Sequence, residues 1–121
     1  MSKCKSNKYL GAWIESSETK IKMSFNMENL RLILQEIIEH KTLGFSHEDL
    51  ANWCYQCLVK LHEENDEDHF DKHFIEILSD IDAQWELYLV NTYSLGELKQ
   101  LNFSKVELPL SWLKEWLEQT Y

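Results

Sequence analysis

Residues 27–40 read MENLRLILQEIIEH, and this stretch decides the fold class. Leu30, Ile33, Leu34, Ile37 and Ile38 recur at the i, i+3, i+4, i+7 and i+8 positions, which line up as one apolar stripe on an α-helix. Asn26 stands where an N-cap belongs, and Glu28 suits the positive end of the helix dipole. His40 falls in the last turn, where a cation meets the negative end. Gly44 is the residue predicted to close the segment in a left-handed conformation.

The same period continues toward the C-terminus. Ser46, followed by Glu48 and Asp49, opens a second helix whose apolar face is Leu50, Trp53, Cys54, Cys57, Leu58 and Leu61 and which fades near Glu63. Phe70 opens the next periodic run, with Phe74, Ile75, Ile77, Leu78 and Ile81. Ser79 and Asp82 offer caps for a fresh start through Trp85, Leu87, Tyr88 and Leu89, so 70–90 reads as one helix or two. Ser94 and Glu97 match a capping box ahead of a short helix to Leu101, and Pro109 with Ser111 starts a last one containing Trp112, Leu113, Trp116 and Leu117. The expectation is a mainly α protein, a compact bundle of five or six helices with short connections.

Residues 1–26 differ. Ile21, Met23 and Phe25 alternate with Lys20, Lys22 and Ser24, the period of a half-buried strand. Tyr9 to Ile14 is a candidate partner with Glu15 to Glu18 as the turn, giving a short N-terminal β-hairpin; a loose arm is the competing reading. The chain therefore divides into an arm or hairpin at 1–26 and an acidic helical domain at 27–121.

Composition agrees with one domain of 121 residues, 44% hydrophobic, with one Pro and three Gly. A chain of this size buries roughly two-thirds of its unfolded surface and needs no disulfide to do so. No apolar run approaches the ~20 residues of a membrane span, and the first residues read as no secretory leader. Three cysteines without such a leader point to reduced thiols and a cytoplasmic setting.

Charge is the strongest functional signal. Lys3, Lys5, Lys8, Lys20 and Lys22 against Glu15 and Glu18 leave the first 26 residues at +3, so the net −9 of the chain places −12 on the remainder. Such a body repels phosphate backbones, which argues against nucleic acid, and attracts a basic protein. The densest carboxylates are Glu63, Glu64, Asp66, Glu67, Asp68 and Asp71, extended by Glu76, Asp80 and Asp82. Glu63, Glu64, Asp66, Glu67, Asp68, Asp71 and Glu76 are the candidate partner-binding residues; a solvated loop is the plain alternative. An EF-hand is not matched, because its glycine and regular alternation are missing.

Cys54, Cys57, His69 and His73 form C-x2-C-x11-H-x3-H, close to the spacing of a zinc finger. Against it, both cysteines sit inside an apolar helical stripe, where they also serve as small hydrophobes. The same Cys-x-x-Cys lies mid-helix rather than at a helix start, which removes the dipole that activates a redox thiol. His47 reads as a surface residue of a first turn, and His40, His47 and His62 have no visible nucleophile. There is no G-x-S-x-G, phosphate-binding glycine loop or H-E-x-x-H, so neither catalysis nor a cofactor is expected. Trp53, Trp85, Trp112 and Trp116 read as core, with Trp112 and Trp116 of the terminal helix the candidates for exposed anchors in a partner contact or a homodimer.

Two stretches carry a family resemblance. Leu43-Gly44-Phe45-Ser46-His47-Glu48-Asp49-Leu50-Ala51-Asn52-Trp53-Cys54 resembles the helix–turn–helix opening of small acidic bacterial immunity proteins of toxin–immunity systems. Residues 93–117, with the Leu95-Gly96 step and Trp112-Leu113-Lys114-Glu115-Trp116-Leu117, resemble their closing helix. The resemblance covers about half of the chain and excludes residues 1–26. It implies a cytoplasmic, non-catalytic protein that occludes the active site of a basic toxin, often a nuclease. It assigns no individual contact residue. The alternatives are a zinc-binding protein using the Cys2His2 set and a helical interaction domain of other purpose.

Overall fold

The computed structural model describes residues 20–40, 43–64 and 71–121. These form five α-helices and one 3-10 turn, with no strand among the described residues. The helices are α1 (Met27–Glu39), α2 (His47–Glu64), α3 (Lys72–Thr92), α4 (Leu95–Gln100) and α5 (Leu110–Gln119), with the 3-10 turn at Phe103–Lys105 between α4 and α5. The mainly α bundle expected from the periodicity is what forms.

α1 begins as its sequence dictates. Asn26 Oδ1 accepts the Asn29 N–H at 2.8 Å, and Leu30, Ile33, Leu34 and Ile37 are buried. It ends at Glu39, close to the expected His40, but the closing residue differs. His40, not Gly44, is the left-handed residue that closes it, with φ 52°, and its N–H returns to the Glu36 carbonyl. Gly44 is also left-handed, at φ 67°, but it serves the connection to α2.

At the head of α2, Ser46 Oγ accepts the Asp49 N–H and Asp49 Oδ2 accepts the Ser46 N–H, both at 3.0 Å. This is a capping box built with Asp in the usual place of Glu. α3 is one continuous helix. Its stripe of Phe74, Ile77, Leu78, Ile81, Trp85 and Leu89 never changes phase, while Ser79 faces solvent and caps nothing. Its cap is Asp71, whose Oδ1 accepts the His73 N–H at 2.9 Å; Phe70, expected to open the helix, lies outside the described residues. Ser94 and Glu97 form the expected capping box of α4 through bonds of 2.8 and 3.2 Å.

α2 and α3 make the most extensive helix pair, α1 packs chiefly on α5, α5 also touches α3, and the 3-10 turn lies against α2. The shared core runs from Leu30 through Trp53, Cys54, Phe74 and Trp85 to Trp116.

The period-two segment at 21–25 is real but is not a strand. Ile21 is only 2% exposed, and Met23 and Phe25 pack against the core while Lys20, Lys22 and Ser24 face solvent. It lies on α2 as an extended strap: Trp53 Nε1–H donates to the Met23 carbonyl at 3.1 Å, and the Phe25 and Trp53 rings are 5.3 Å apart. Alternate burial needs only a flat apolar support, which a helix supplies as well as a sheet. Tyr9 to Glu18, the other half of the expected hairpin, lie outside the described residues.

Candidate functional site

The acidic stretch singled out from the sequence divides in the structure. Glu63 and Glu64 are the last residues of α2, while Asp66, Glu67, Asp68 and His69 lie outside the described residues. Asp71 is exposed, and one of its oxygens caps α3. Glu76 is exposed on α3, with Oε1 4.0 Å from His73 Nδ1. His73 Nε2–H donates to the Gln119 carbonyl at 2.6 Å, tying the start of α3 to the end of α5.

Cys54 and Cys57 are buried free thiols in the core. Burial pushes the Cys54 thiol well above its ordinary range, aided by Asp82, and pushes Cys57 up to about 12 against the partial opposition of Lys60. Zinc and thiol chemistry both need the thiolate, which this environment disfavours. His73, the other described member of the Cys2His2 set, is half-exposed and engaged with Gln119. Among the described residues no group of three or more His, Cys, Asp or Glu side chains is placed to hold a metal.

Two concavities stand out. The larger, about 390 Å3, lies where the end of α1, the head of α2 and the segment after the 3-10 turn meet; Glu36, His40, Ser46, His47, Ser104 and Glu107 supply its polar lining. His47 corrects the expectation of a surface residue: it is 9% exposed and its Nδ1 accepts the Leu108 N–H at 2.8 Å. Burial lowers its pKa, Glu107 partly opposes this and His40 adds to it. The bond to Leu108 fixes the tautomer. With the Nδ1 lone pair taken, the neutral ring carries its proton on Nε2. Such a ring donates a hydrogen bond but offers no free lone pair for a metal or for a substrate proton. A signal for its burial existed in the sequence, since the α2 stripe of Leu50, Cys54, Cys57 and Leu61 extends back by one step to His47.

The second concavity, about 230 Å3, is a cup between α3 and α5 lined by Asp80, Gln84, Trp112, Glu115 and Trp116. Helical spacing builds both walls: Asp80 and Gln84 are four apart on α3, and Trp112, Glu115 and Trp116 share one face of α5. Trp116 is buried, and its Nε1–H donates to Asp80 Oδ2 at 2.7 Å. Trp112 is partly exposed and is met edge-on by Tyr88 at 5.9 Å and by Trp116 at 6.4 Å. Trp112 thus retains the accessible aromatic surface expected of an anchor, whereas Trp53, Trp85 and Trp116 belong to the core. Glu115 and Gln84 escaped the sequence reading because nothing local links α5 to α3.

No helix among the described residues is long and apolar enough to cross a membrane. No protein-family model, curated protein or solved structure matches this chain.

Proposed function

We propose that this chain is a non-catalytic binding protein that captures a basic protein and neutralises it by occluding its working surface, as the immunity proteins it resembles do with their toxins. The observation that carries this reading is the −12 charge of residues 27–121, part of it displayed on α3 and α5, where Glu76, Asp80, Glu115 and Glu118 all face solvent. A field of this sign accelerates encounter with a basic partner and holds off nucleic acid. The carboxylates meet the lysines and arginines with which a nuclease would grip phosphate. Trp112, with the exposed Leu87 and Leu110, supplies apolar contacts that slow release. The locked tautomer of His47 and the suppressed thiols of Cys54 and Cys57 favour a binding role over catalysis.

The test is co-purification with the product of the gene immediately upstream, at low and at high salt. Tight capture of a basic toxin domain, weakened by salt and accompanied by loss of its activity, is the expected result. A partner that is captured but stays fully active would overturn the inhibitory role, and capture of an acidic partner would overturn the charge argument.

A further inference from the structure

We propose that the cup between α3 and α5 is the seat for an arginine side chain of the partner; this rests on the partner's being basic. Three features of the cup point to a guanidinium. The first is uncompensated charge. Asp80 and Glu115 both line it, and no Lys, Arg or His does. The second is unspent hydrogen-bonding capacity. Trp116 Nε1–H occupies Asp80 Oδ2, which leaves Asp80 Oδ1, the Glu115 carboxylate and the side-chain Oε1 of Gln84 without a donor among the described residues. The third is an aromatic wall. Trp112 is held between Tyr88 and Trp116 and keeps part of its indole exposed.

These features suit arginine better than lysine. A guanidinium is planar, weakly hydrated and carries five N–H donors in a rigid fork, so it can stack on an indole while bonding carboxylates at its edge. An ammonium offers a compact charge that holds its water and has no face to stack. The site is also preorganised, because the buried Trp116 holds Asp80 in place and two rings fix Trp112. Less side-chain freedom is therefore lost on binding. Glu76, one turn before Asp80, and Glu118, one turn after Glu115, extend the negative potential around the rim.

The experiment uses the full-length 15N-labelled chain at low salt, titrated with a tetra-arginine peptide and separately with tetra-lysine, and follows backbone and indole N–H signals by NMR. The Trp112 and Trp116 indole signals are assigned through Trp112→Phe and Trp116→Phe. The expected result is progressive movement of both signals with tetra-arginine and weaker binding of tetra-lysine. The double variant Asp80→Asn, Glu115→Gln is expected to weaken tetra-arginine by about tenfold. The amide introduced at position 80 retains an oxygen for the Trp116 N–H, and a matching thermal melt confirms that the fold is intact. Shifts confined to residues 63–71, with affinity unchanged in the double variant, would overturn the seat while leaving a basic partner in place. Equal binding of the two peptides at the cup would overturn the choice of guanidinium. No shift with either peptide would remove both this inference and the charge argument beneath the proposed function.

Discussion

The imidazole of His47 accepts the backbone N–H of Leu108 at 2.8 Å, joining the head of α2 to the segment that leads into α5. The acceptor is a neutral ring, and its pKa lies below the ordinary 6.5 chiefly because the ring is buried. The unfolded chain therefore takes up this proton first as pH falls. The stability tied to His47 is complete above its ordinary pKa and is lost as pH falls through the lowered one. Urea melts across this range should show a decline in the wild type that is smaller in His47→Asn, whose Oδ1 supplies a non-titrating acceptor. Identical slopes for the two proteins would refute the assignment.

Two buried tryptophans should respond differently to the same change. Trp53 Nε1–H is bonded to the Met23 carbonyl, whereas the buried Trp85 Nε1–H has no acceptor among the described residues. Trp53→Phe removes a hydrogen bond along with volume. Trp85→Phe removes a donor that already lacked a partner, whose burial costs about 1–3 kcal/mol. Trp85→Phe is expected to be the milder by at least about 1 kcal/mol in denaturant titration. A larger loss for Trp85→Phe would contradict the pairing described.

His40 holds φ at 52°, a conformation that favours glycine. His40→Gly should raise stability by about 0.5–1 kcal/mol, since the strain relieved exceeds the entropy glycine adds to the unfolded chain. A thermal melt checks this, and a lowered midpoint would show that the His40 side chain contributes more than its backbone costs.

The thiols of Cys54 and Cys57 should stay silent in the native protein. Both are buried, and burial is the leading cause that raises both pKa values. Alkylation with iodoacetamide near neutral pH should leave both unmodified in native buffer and modify both in denaturant, as read by peptide mass mapping. Rapid native labelling at either position would show that the core opens there.

Helices were legible wherever the information is local. The α1 stripe, the Ser94–Glu97 box and the Ser46 start are all contained within a turn or two of chain. Ser79 and Asp82 suggested a break because cap propensity is local too, but the unbroken stripe from Phe74 to Leu89 outweighs it. The alternation of Ile21, Met23 and Phe25 was correctly visible as one-sided burial and misleading as to what covers it. His47 and the α3–α5 cup depend on partners tens of residues away. Composition announced the carboxylates, but only the packing of α5 on α3 brings Asp80 and Glu115 around one tryptophan.

α1 leans chiefly on α5, and Arg31 fastens the pair: its guanidinium bonds the Thr120 hydroxyl at 3.1 Å and the Thr120 carbonyl, and lies 4.5 Å from the Tyr121 ring centre. Arg31 and Thr120 are 89 residues apart. During synthesis, then, the stripe that α1 forms early lacks its main cover until Thr120 and Tyr121 leave the ribosome. The nascent α1 must wait for the intervening chain to be made before its stripe gains its main cover, and Arg31 then clamps the two helices together.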